Sequence, residues 1–398
     1  MASVERVLLI EPQGEPGGMW HYAGCLADAL AGFGLDVTLA TIAPHEPVQA
    51  AHPFRVRSIG VRPRAGGALP LRMVSRAANQ LDRWTRLRRL VRTIAPAVVH
   101  VHNPLSKLDF LQFRHLRSMG PRVVYTAHDP KPDTGTTWFD WARFHAADAI
   151  LVHSTNATED LVAGGVARSK LARIHHGNYL KFCGGTRLTG GEAKRLLGLP
   201  PSARAVLFFG TILPYKGLDV LLRAFALAGA EDPNLHLVVA GEPLEDFGPY
   251  RREIERLGLA GRTLLDLRYV PFEEFPKYFA AADAVVFPYR NIYQSGVLQL
   301  AYGYARPVVG TDVGGLREQI VEDGTGVVAP TEDPPALAAA IRRLLADPAA
   351  ETMGLRGRAL AESKYAWETV AKTVIEVYRS VQGRLPLGNA ASSGALVP

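Results

Sequence analysis

Cysteine is scarce in this sequence of 398 residues. The two thiols, Cys25 and Cys183, lie far apart, and neither belongs to a CxxC pair or to a spacing typical of metal ligands. We therefore expect reduced thiols without a catalytic role. The chain also lacks a DxD triplet and a His/Cys/Asp/Glu cluster of the kind that indicates zinc or magnesium, so neither a metal site nor a cofactor is predicted.

Long apolar runs are missing as well. No uncharged apolar stretch reaches the roughly 18 residues that a membrane-spanning helix requires. The first residues lead into a strand-like segment, Val7–Ile10, rather than into a signal peptide. The expected location is therefore cytoplasmic. Residues 390–398 resemble a truncated protease site from an expression tag and are left out of the fold prediction.

Acidic residues are almost absent from one strongly basic segment. The formal net charge is +7, and Arg72–Arg92 holds seven arginines against the single acid Asp82. This segment predicts peripheral contact with an anionic membrane surface, or with a lipid-phosphate acceptor, at the inner face of the cell membrane. A solvated, arginine-rich helix is the alternative. Nucleic-acid binding is not predicted, because the segment has one aromatic residue, Trp84, and no recognisable binding module.

What is present is a repeated strand–helix pattern. A composition of 47% apolar and 21% charged residues is typical of a globular protein, and the length exceeds what one core usually supports. Short apolar strands alternate with helical segments, which predicts parallel sheets with helices on both faces. The predicted strands are 7–10, 37–42, 98–102, 123–126 and 150–153, then 206–209, 235–240, 264–269, 285–288, 307–309 and 327–328.

The pattern divides into two doubly wound α/β domains. Residues 1–178 form the predicted N-terminal, acceptor-binding domain, and 179–365 form the predicted C-terminal, donor-binding domain. The turn-rich segment His176–Gly191 reads as a linker, and the last helix, within 366–383, lies beyond the second sheet. Because such domains bind ligands at the carboxyl ends of their strands, the ligand site is expected in a cleft between them.

Three loops after strands have residues suited to binding an anion. Gly14–Gly18 would bring backbone N–H groups to a ligand at a helix start, although a plain strand-to-helix turn explains it equally well. Lys216, just before a helix, suits a diphosphate oxygen, or else is a solvated lysine. Ser295-Gly296 opens a helix whose free N–H groups favour an anion, or is only a cap.

Taken together, these segments resemble glycosyltransferase family 4. The resemblance runs in family order from residue 7 to about 382. It is carried by GGMWHYAGCLADAL, YTAHDPKP, IHHGNY, FFGTILPYKGLDVLLRAF, ADAVVFPY and SGVLQLAYGYARPVVGTDVGGLREQI.

The resemblance implies a GT-B fold, with two Rossmann-like domains facing a cleft and a terminal helix that returns to the N-terminal domain. It also implies a retaining, metal-independent transfer of sugar from a nucleotide-sugar donor to a glycan, lipid-linked or small-molecule acceptor. Lys216 would contact the donor diphosphate, and His128 would lie near the donor sugar. The donor-binding residues that it implies are Gly17, Gly18, Gly210, Thr211, Lys216, Ser295, Gly296, Val297 and Glu318.

Two departures from the family pattern concern the donor site. The family's two glutamates, eight positions apart, would align with Ile292 and Leu300, and neither residue is acidic. Gln294 and Gln299 are only nearby amides. The arginine that usually follows the first glycine of the Lys-Gly motif is Thr211. Two other classes therefore stay open, namely a catalytically silent GT-B protein that binds a nucleotide sugar, and a GT-B epimerase or pseudo-glycosyltransferase.

Overall fold

The structure is a computed structural model, which describes residues 5–14, 18–42, 52–60, 69–131, 135–184 and 188–383. The chain forms two compact units. The first contains the chain up to Gly177 and again from Trp367 onward, and the second contains Asn178–Ala366. Among the described helices, none is long and apolar enough to cross a lipid bilayer. The residues 390–398, predicted to be a tag remnant, lie outside the described part of the chain.

The first unit is built on a seven-stranded parallel sheet with the strand order β3-β2-β1-β4-β5-β6-β7. Its strands are β1 (Arg6–Glu11), β2 (Asp36–Thr41), β3 (Arg55–Ser58), β4 (Val98–Val101), β5 (Arg122–Thr126), β6 (Ala149–Val152) and β7 (Leu171–Arg173). Its helices are α1 (Gly18–Gly32), α2 (Leu69–Ile94), α3 (Asp109–Ser118), α4 (Trp138–Ala146), α5 (Thr155–Ala163) and, after the second unit, α14 (Trp367–Val381).

The second unit has a six-stranded parallel sheet with the order β10-β9-β8-β11-β12-β13. Its strands are β8 (Arg204–Phe209), β9 (Leu235–Ala240), β10 (Thr263–Asp266), β11 (Ala284–Phe287), β12 (Val308–Thr311) and β13 (Gly326–Ala329). Its α-helices are α6 (Gly190–Leu196), α7 (Leu218–Gly229), α8 (Gly248–Arg256), α9 (Phe275–Ala281), α10 (Gly296–Gly303), α11 (Gly314–Asp323), α12 (Pro334–Ala346) and α13 (Ala350–Glu362).

The helix periodicity read from the sequence corresponds to buried faces. In α1 the four residues at i, i+3, i+4 and i+7, from Ala23 to Leu30, have no exposed surface. Helix α7 buries Leu218, Leu221 and Phe225 against β8 and its neighbours in the same way. These faces cover the central strands, whose side chains are buried on both sides of the sheet.

Two strands, β3 and β7, were not predicted from the sequence. Both lie at an edge of the first sheet. β3 carries Arg55 and Arg57 and is mostly exposed, and β7 has only three residues. Backbone pairing with one neighbour, rather than an apolar pattern, defines such strands, so hydrophobicity does not reveal them.

The segment predicted as a linker is partly built into the second unit. Asn178 donates its backbone N–H to the Tyr365 carbonyl at 2.8 Å and its side-chain amide to the Ala361 carbonyl at 2.6 Å. Tyr179 is buried in a core cluster of that unit, and a short 3-10 helix follows at Leu180–Phe182. The described residues from Asn178 to Gly184 are therefore not a free tether.

Candidate functional site

The loop after β8 lies at the carboxyl edge of the second sheet and requires glycine at two positions. Gly210 has a φ of 96° and Gly217 a φ of 66°. A Cβ atom on Gly217 would lie 2.0 Å from the Pro288 carbonyl oxygen. Glycine therefore lets this loop pack directly on the segment that follows β11.

Lys216 ends a short 3-10 helix in this loop, immediately before α7, and its side chain is only 6% exposed. Its ammonium lies 3.1 Å from the Thr211 hydroxyl and 5.9 Å from the centre of the Tyr289 ring. No carboxylate pairs with it among the residues the structure describes. Burial alone lowers the pKa of Lys216 to about 8. The site therefore presents a desolvated cation whose charge no acid balances.

Arg290 fixes the loop that carries Lys216. Its backbone N–H donates to the Tyr215 carbonyl at 2.7 Å, and its guanidinium donates to the Pro214 carbonyl at 2.6 Å. The same guanidinium holds Asp219 in a two-pronged contact at 2.8 and 2.9 Å and also pairs with Glu332.

Arg290 and Arg306 are both engaged by protein groups, so neither is available for the phosphate contact that the resemblance implies for an arginine at position 211. Arg290 is committed to two carboxylates. Arg306 donates to the carbonyls of Tyr304 and Ala282 at 2.9 and 3.1 Å, and burial lowers its pKa. It precedes β12, so it lies at the amino edge of the sheet, opposite Lys216. Of these three basic residues, Lys216 is therefore the one that is engaged by neither a carboxylate nor a carbonyl among the described residues.

The start of α10 lies beside Lys216. Ser295 caps this helix, and its hydroxyl accepts the Leu298 N–H at 3.4 Å. A Cβ atom on Gly210 would be 3.3 Å from Val297 Cγ2 and 3.4 Å from Lys216 Nζ, which brings the two predicted phosphate-binding segments together. The first N–H groups of a helix have no partner within it and carry partial positive charge. At this corner of the sheet, an anion could therefore contact both the Lys216 ammonium and the first N–H groups of α10.

Gly296 has no room for a side chain. A Cβ atom on it would lie 2.7 Å from Tyr179 Cε2. Tyr289, which was not singled out from the sequence, is 2% exposed and hydrogen-bonded to Ser295. It thus contacts both predicted phosphate-binding segments. A tyrosine directly after the buried strand in FPY was the only sequence signal for it.

Ile292 and Leu300, which we predicted to align with the family's two glutamates, hold side chains that pack in the core. Leu300 is 5% exposed, and Ile292 packs partly buried against the same cluster. The Ile292 carbonyl accepts the Gly315 N–H at 3.3 Å, which joins this loop to the start of α11. Gln299 is fully buried, and neither its amide oxygen nor its amide nitrogen has a hydrogen-bond partner among the described residues.

Glu318, predicted as a secondary donor-binding residue, is half-buried in the second turn of α11. Asp312, just before α11, forms an ion pair with Arg317 at 2.8 Å. Glu318 is therefore not one of the residues at the start of its helix, where an anion is favoured.

In the first unit, the predicted residues follow β1 and β5. Gly18 is the first residue of α1, whereas Gly17 lies outside the described residues. His128 is half-buried, and both of its ring nitrogens are withdrawn from solvent. Burial is the main reason that the pKa of His128 lies well below its ordinary value, and the neighbouring His153 and His102 lower it further. The imidazole is therefore neutral at physiological pH.

The basic segment is helix α2, and its described side chains show two faces. Leu87 and Val91 are buried, whereas Arg86, Arg88 and Arg89 are exposed. Arg83 packs on Gly60, and burial lowers its pKa. The side chains of Arg72 and Arg76, which belong to the predicted patch, lie outside the described residues.

Two family models match this chain in succession. The model described as Glycosyltransferase Family 4 matches residues 16–179, and the one described as Glycosyl transferases group 1 matches residues 203–347. Relatives with this similarity include the D-inositol 3-phosphate glycosyltransferase of Corynebacterium diphtheriae, 30% identical over 95% of this chain and 93% of the relative. The enzyme of the same name from Corynebacterium urealyticum is 28% identical over 92% of both chains.

Solved structures resemble the chain over nearly its whole length. Sucrose-phosphate synthase from Thermosynechococcus elongatus has a TM-score of 0.75 and 22% identity, covering 96% of this chain and 100% of its own. Anabaena HepE, solved with UDP and glucose, has a TM-score of 0.71 and 17% identity over 94% of this chain and 100% of its own. The predicted fold, with two Rossmann-like α/β domains, is confirmed.

Proposed function

Because the chain belongs to glycosyltransferase family 4 and is a GT-B glycosyltransferase, we propose that its donor is a nucleoside diphosphate sugar. The diphosphate would lie between Lys216 and the first amides of α10, at Ser295, Gly296 and Val297. We propose separately that His128, in the first unit, contacts the donor sugar. A hydroxyl of the acceptor would replace the diphosphate at the anomeric carbon.

The observation that carries this proposal is the unbalanced charge of Lys216. Among the described residues, the buried Lys216 ammonium has a hydroxyl and an aromatic ring as neighbours and no carboxylate, which is unfavourable unless a ligand supplies negative charge. Helix α10 begins beside it, with its free N–H groups. Two sources of positive potential at one corner suit a diphosphate, because its charge extends over several oxygens.

The proposed step breaks the bond between the anomeric carbon and the diphosphate oxygen, and forms a bond to the acceptor oxygen. The electron pair of the broken bond goes to the diphosphate, and the acceptor proton passes to a phosphate oxygen. Negative charge therefore develops on the leaving group next to Lys216. In other enzymes, one preorganised hydrogen-bond donor at such a position lowers the activation free energy by about 3 kcal/mol.

We further propose that transfer proceeds with retention of the anomeric configuration and without a metal ion. A phosphate oxygen that takes the acceptor proton lies on the face from which the diphosphate leaves, which favours attack from that face. Lys216 and the α10 amides supply the positive charge that a metal provides in other transferases.

UDP is the nucleotide that we propose for the donor. HepE has been solved with UDP and with UDP-glucose, and the same fold accommodates both. For the acceptor, the relatives named for D-inositol 3-phosphate favour a polyol that bears an anionic group. The exposed arginines of α2 would attract such a molecule, or an anionic membrane that carries it.

Product analysis tests this function. The purified chain is incubated with UDP-glucose and D-inositol 3-phosphate, without added metal and with EDTA, and the products are examined by NMR. Expected are free UDP and a glycoside with the anomeric configuration of the donor. An epimerised nucleotide sugar, or binding of UDP-glucose without turnover on any acceptor, would contradict the proposal. Inversion at the anomeric carbon would contradict the retaining step alone.

A further inference from the structure

Five histidines cluster around Tyr22 in the first unit. Four of them contact the Tyr22 ring, and the fifth, His100, packs against one of those four. They come from the carboxyl ends of β4, β5, β6 and β7 or the loops just after them, and Tyr22 lies one turn into α1. The members of this histidine cage are His100, His102, His128, His153 and His176.

Tyr22 makes edge-on contacts with most of the cage. Its ring centre lies 4.7 Å from that of His128, at an interplanar angle of 88°. The separations to His102 and His153 are both 5.5 Å, and that to His176 is 5.1 Å. Tyr22 itself has no exposed surface. Tyr22 therefore contacts four histidines that come from four different segments.

Hydrogen bonds fix some members of the cage but not His128. His100 bonds the Tyr378 hydroxyl at 2.7 Å and the Thr126 hydroxyl at 2.6 Å, and His176 bonds the Gly177 carbonyl at 2.8 Å. Among the described residues, neither ring nitrogen of His128 has a hydrogen-bond partner. Packing against Tyr22, His102 and His153 must therefore hold its orientation.

Helix α14 supports Tyr22 from another direction. The Trp367 ring lies 5.0 Å from the Tyr22 ring, at an angle of 81°. The same Trp367 ring packs against Gly177, where an added Cβ atom would lie only 2.3 Å from Trp367 Cε2. Glycine at 177 thus lets Trp367 approach, and Trp367 limits the movement of Tyr22.

We propose that Tyr22 is a positioning residue for His128, holding the imidazole at the angle at which it meets the donor sugar. This inference rests on the proposed role of His128 in sugar binding. Tyr22 acts through its ring, without touching substrate. Because Tyr22 lies one turn after Gly18, its contact with His128 also joins the first turns of α1 to the imidazole.

The pKa of His128 distinguishes a positioning role of Tyr22 from a purely structural one. A residue that only stabilises the fold would not change this pKa when it is replaced. The titratable groups that face it are His102 on the β4 side, His153 and His176 on the β6 and β7 side, and Tyr22 on α1, with His100 behind them. Burial keeps the pKa of His128 low. Loss of the Tyr22 ring would admit water and raise that pKa towards its ordinary value.

The test compares Tyr22→Phe and Tyr22→Leu with Leu30→Ala, a buried control on the same helix. Tyr22→Phe keeps the ring, so its kcat, its donor KM and the His128 titration followed by NMR should remain unchanged. Tyr22→Leu should lower kcat at least about tenfold with little change in donor KM, and should move the His128 titration and the acid limb of the pH profile to higher pH. Leu30→Ala should lose stability without either pH shift.

Several outcomes would overturn the proposal. One is an unmoved His128 titration in Tyr22→Leu, and another is the same shift in Leu30→Ala. If Tyr22→Leu does not fold, Trp367→Leu takes its place, with a smaller upward shift expected and an unchanged titration counting against the proposal. If His128→Ala leaves kcat unchanged, the sugar-binding role fails, whereas the NMR titrations still decide whether Tyr22 positions the imidazole.

Discussion

The ammonium of Lys216 lies 3.1 Å from the hydroxyl of Thr211. The hydroxyl can accept a hydrogen bond from the lysine but cannot neutralise it. Lys216 therefore stays buried and unbalanced, with a pKa of about 8. In the proposed donor site, the phosphate contact therefore depends on a single titratable cation.

Donor binding should consequently depend on pH. Below pH 8 the lysine is protonated, and affinity for UDP should be nearly constant. Because a bound diphosphate favours the charged form, binding above pH 8 must take up a proton, and affinity should fall by up to about tenfold per pH unit. Calorimetric titration with UDP from pH 6.5 to 9.5 measures this. Lys216→Ala should bind weakly at every pH, and an identical alkaline decline in that variant would assign the effect to another group.

Two glycines of α10 offer a matched pair of substitutions. Gly296→Ala would press a methyl group into Tyr179, and Gly303→Ala would press one into Cys183, where a Cβ atom would lie 2.6 Å from the sulfur. Both should destabilise the protein. Only Gly296→Ala should also raise donor KM at least about tenfold, because it moves the amides at the start of the helix.

Ser295→Ala should be milder, costing about 1 kcal/mol of stability through the lost cap. Steady-state kinetics and thermal melts separate the effects, and an equal rise in KM for both glycine variants would contradict the assignment.

The histidine cage should make the first unit sensitive to acid. Burial is the main cause that lowers the pKa of all five histidines, to about 3 for His102 and about 4 for His176. The unfolded chain binds these protons below about pH 6.5 and the folded unit does not, so the stability is complete above that pH and is lost as the pH falls. Each histidine contributes a slope of up to about 1.4 kcal/mol per pH unit. Asp109 has the opposite effect on this slope. Burial raises its pKa to about 6, so below that pH the folded unit binds one proton that the unfolded chain does not.

Denaturant unfolding at pH 8.0, 6.5 and 5.5 tests this expectation. The free energy of unfolding should change little between the first two values and fall steeply between the last two. His102→Phe removes an imidazole whose nitrogens have no hydrogen-bond partner among the described residues. It should flatten the acid slope by about one proton. A slope unchanged by this substitution would mean that His102 titrates normally.

The sequence was sufficient to predict that Lys216 and Ser295 lie on the same side of a sheet. Each follows an apolar strand and precedes a helix, and in a parallel sheet all strand ends of one kind share an edge. Their proximity depended on β8 pairing with β11, which no local pattern revealed. The partners of Arg290 were equally hidden, because Asp219 is 71 residues away in the chain.

The histidine cage shows another limit of sequence reasoning. His100, His102 and His153 lie at or just after the ends of β4 and β6, and all three are buried. That they share one tyrosine follows from the order β1-β4-β5-β6-β7 together with the place of α1, which are properties of the whole sheet. No sequence pattern singled out Tyr22.

The arginines of α2 give a prediction about membranes. The exposed residues Arg86, Arg88, Arg89 and Arg92 should each contribute about 1 kcal/mol to binding an anionic bilayer, and salt should screen the interaction. Arg83 is left unchanged because it packs on Gly60. Cosedimentation with phosphatidylserine vesicles at low and moderate salt measures the partitioning.

A variant with those four arginines changed to glutamine should lose most of this binding. The matched control changes four exposed arginines of the second unit, namely Arg195, Arg251, Arg252 and Arg343. The control should sediment as the unchanged protein does. Equal partitioning of both variants would remove α2 as a membrane-binding surface and would favour a freely diffusing acceptor.

The most direct test of the donor site compares thermal stabilisation by UDP, GDP, dTDP and ADP in the unchanged chain, in Lys216→Ala and in Lys277→Ala. Lys277 is a control lysine of the same unit, paired with Glu274. A nucleotide at a hundred times its Kd stabilises a protein by about 2.7 kcal/mol. We predict that UDP raises the melting temperature of the unchanged chain and of Lys277→Ala, and that Lys216→Ala folds but loses the shift together with at least about tenfold in turnover. An equal UDP shift and equal turnover in Lys216→Ala would contradict the proposed donor site.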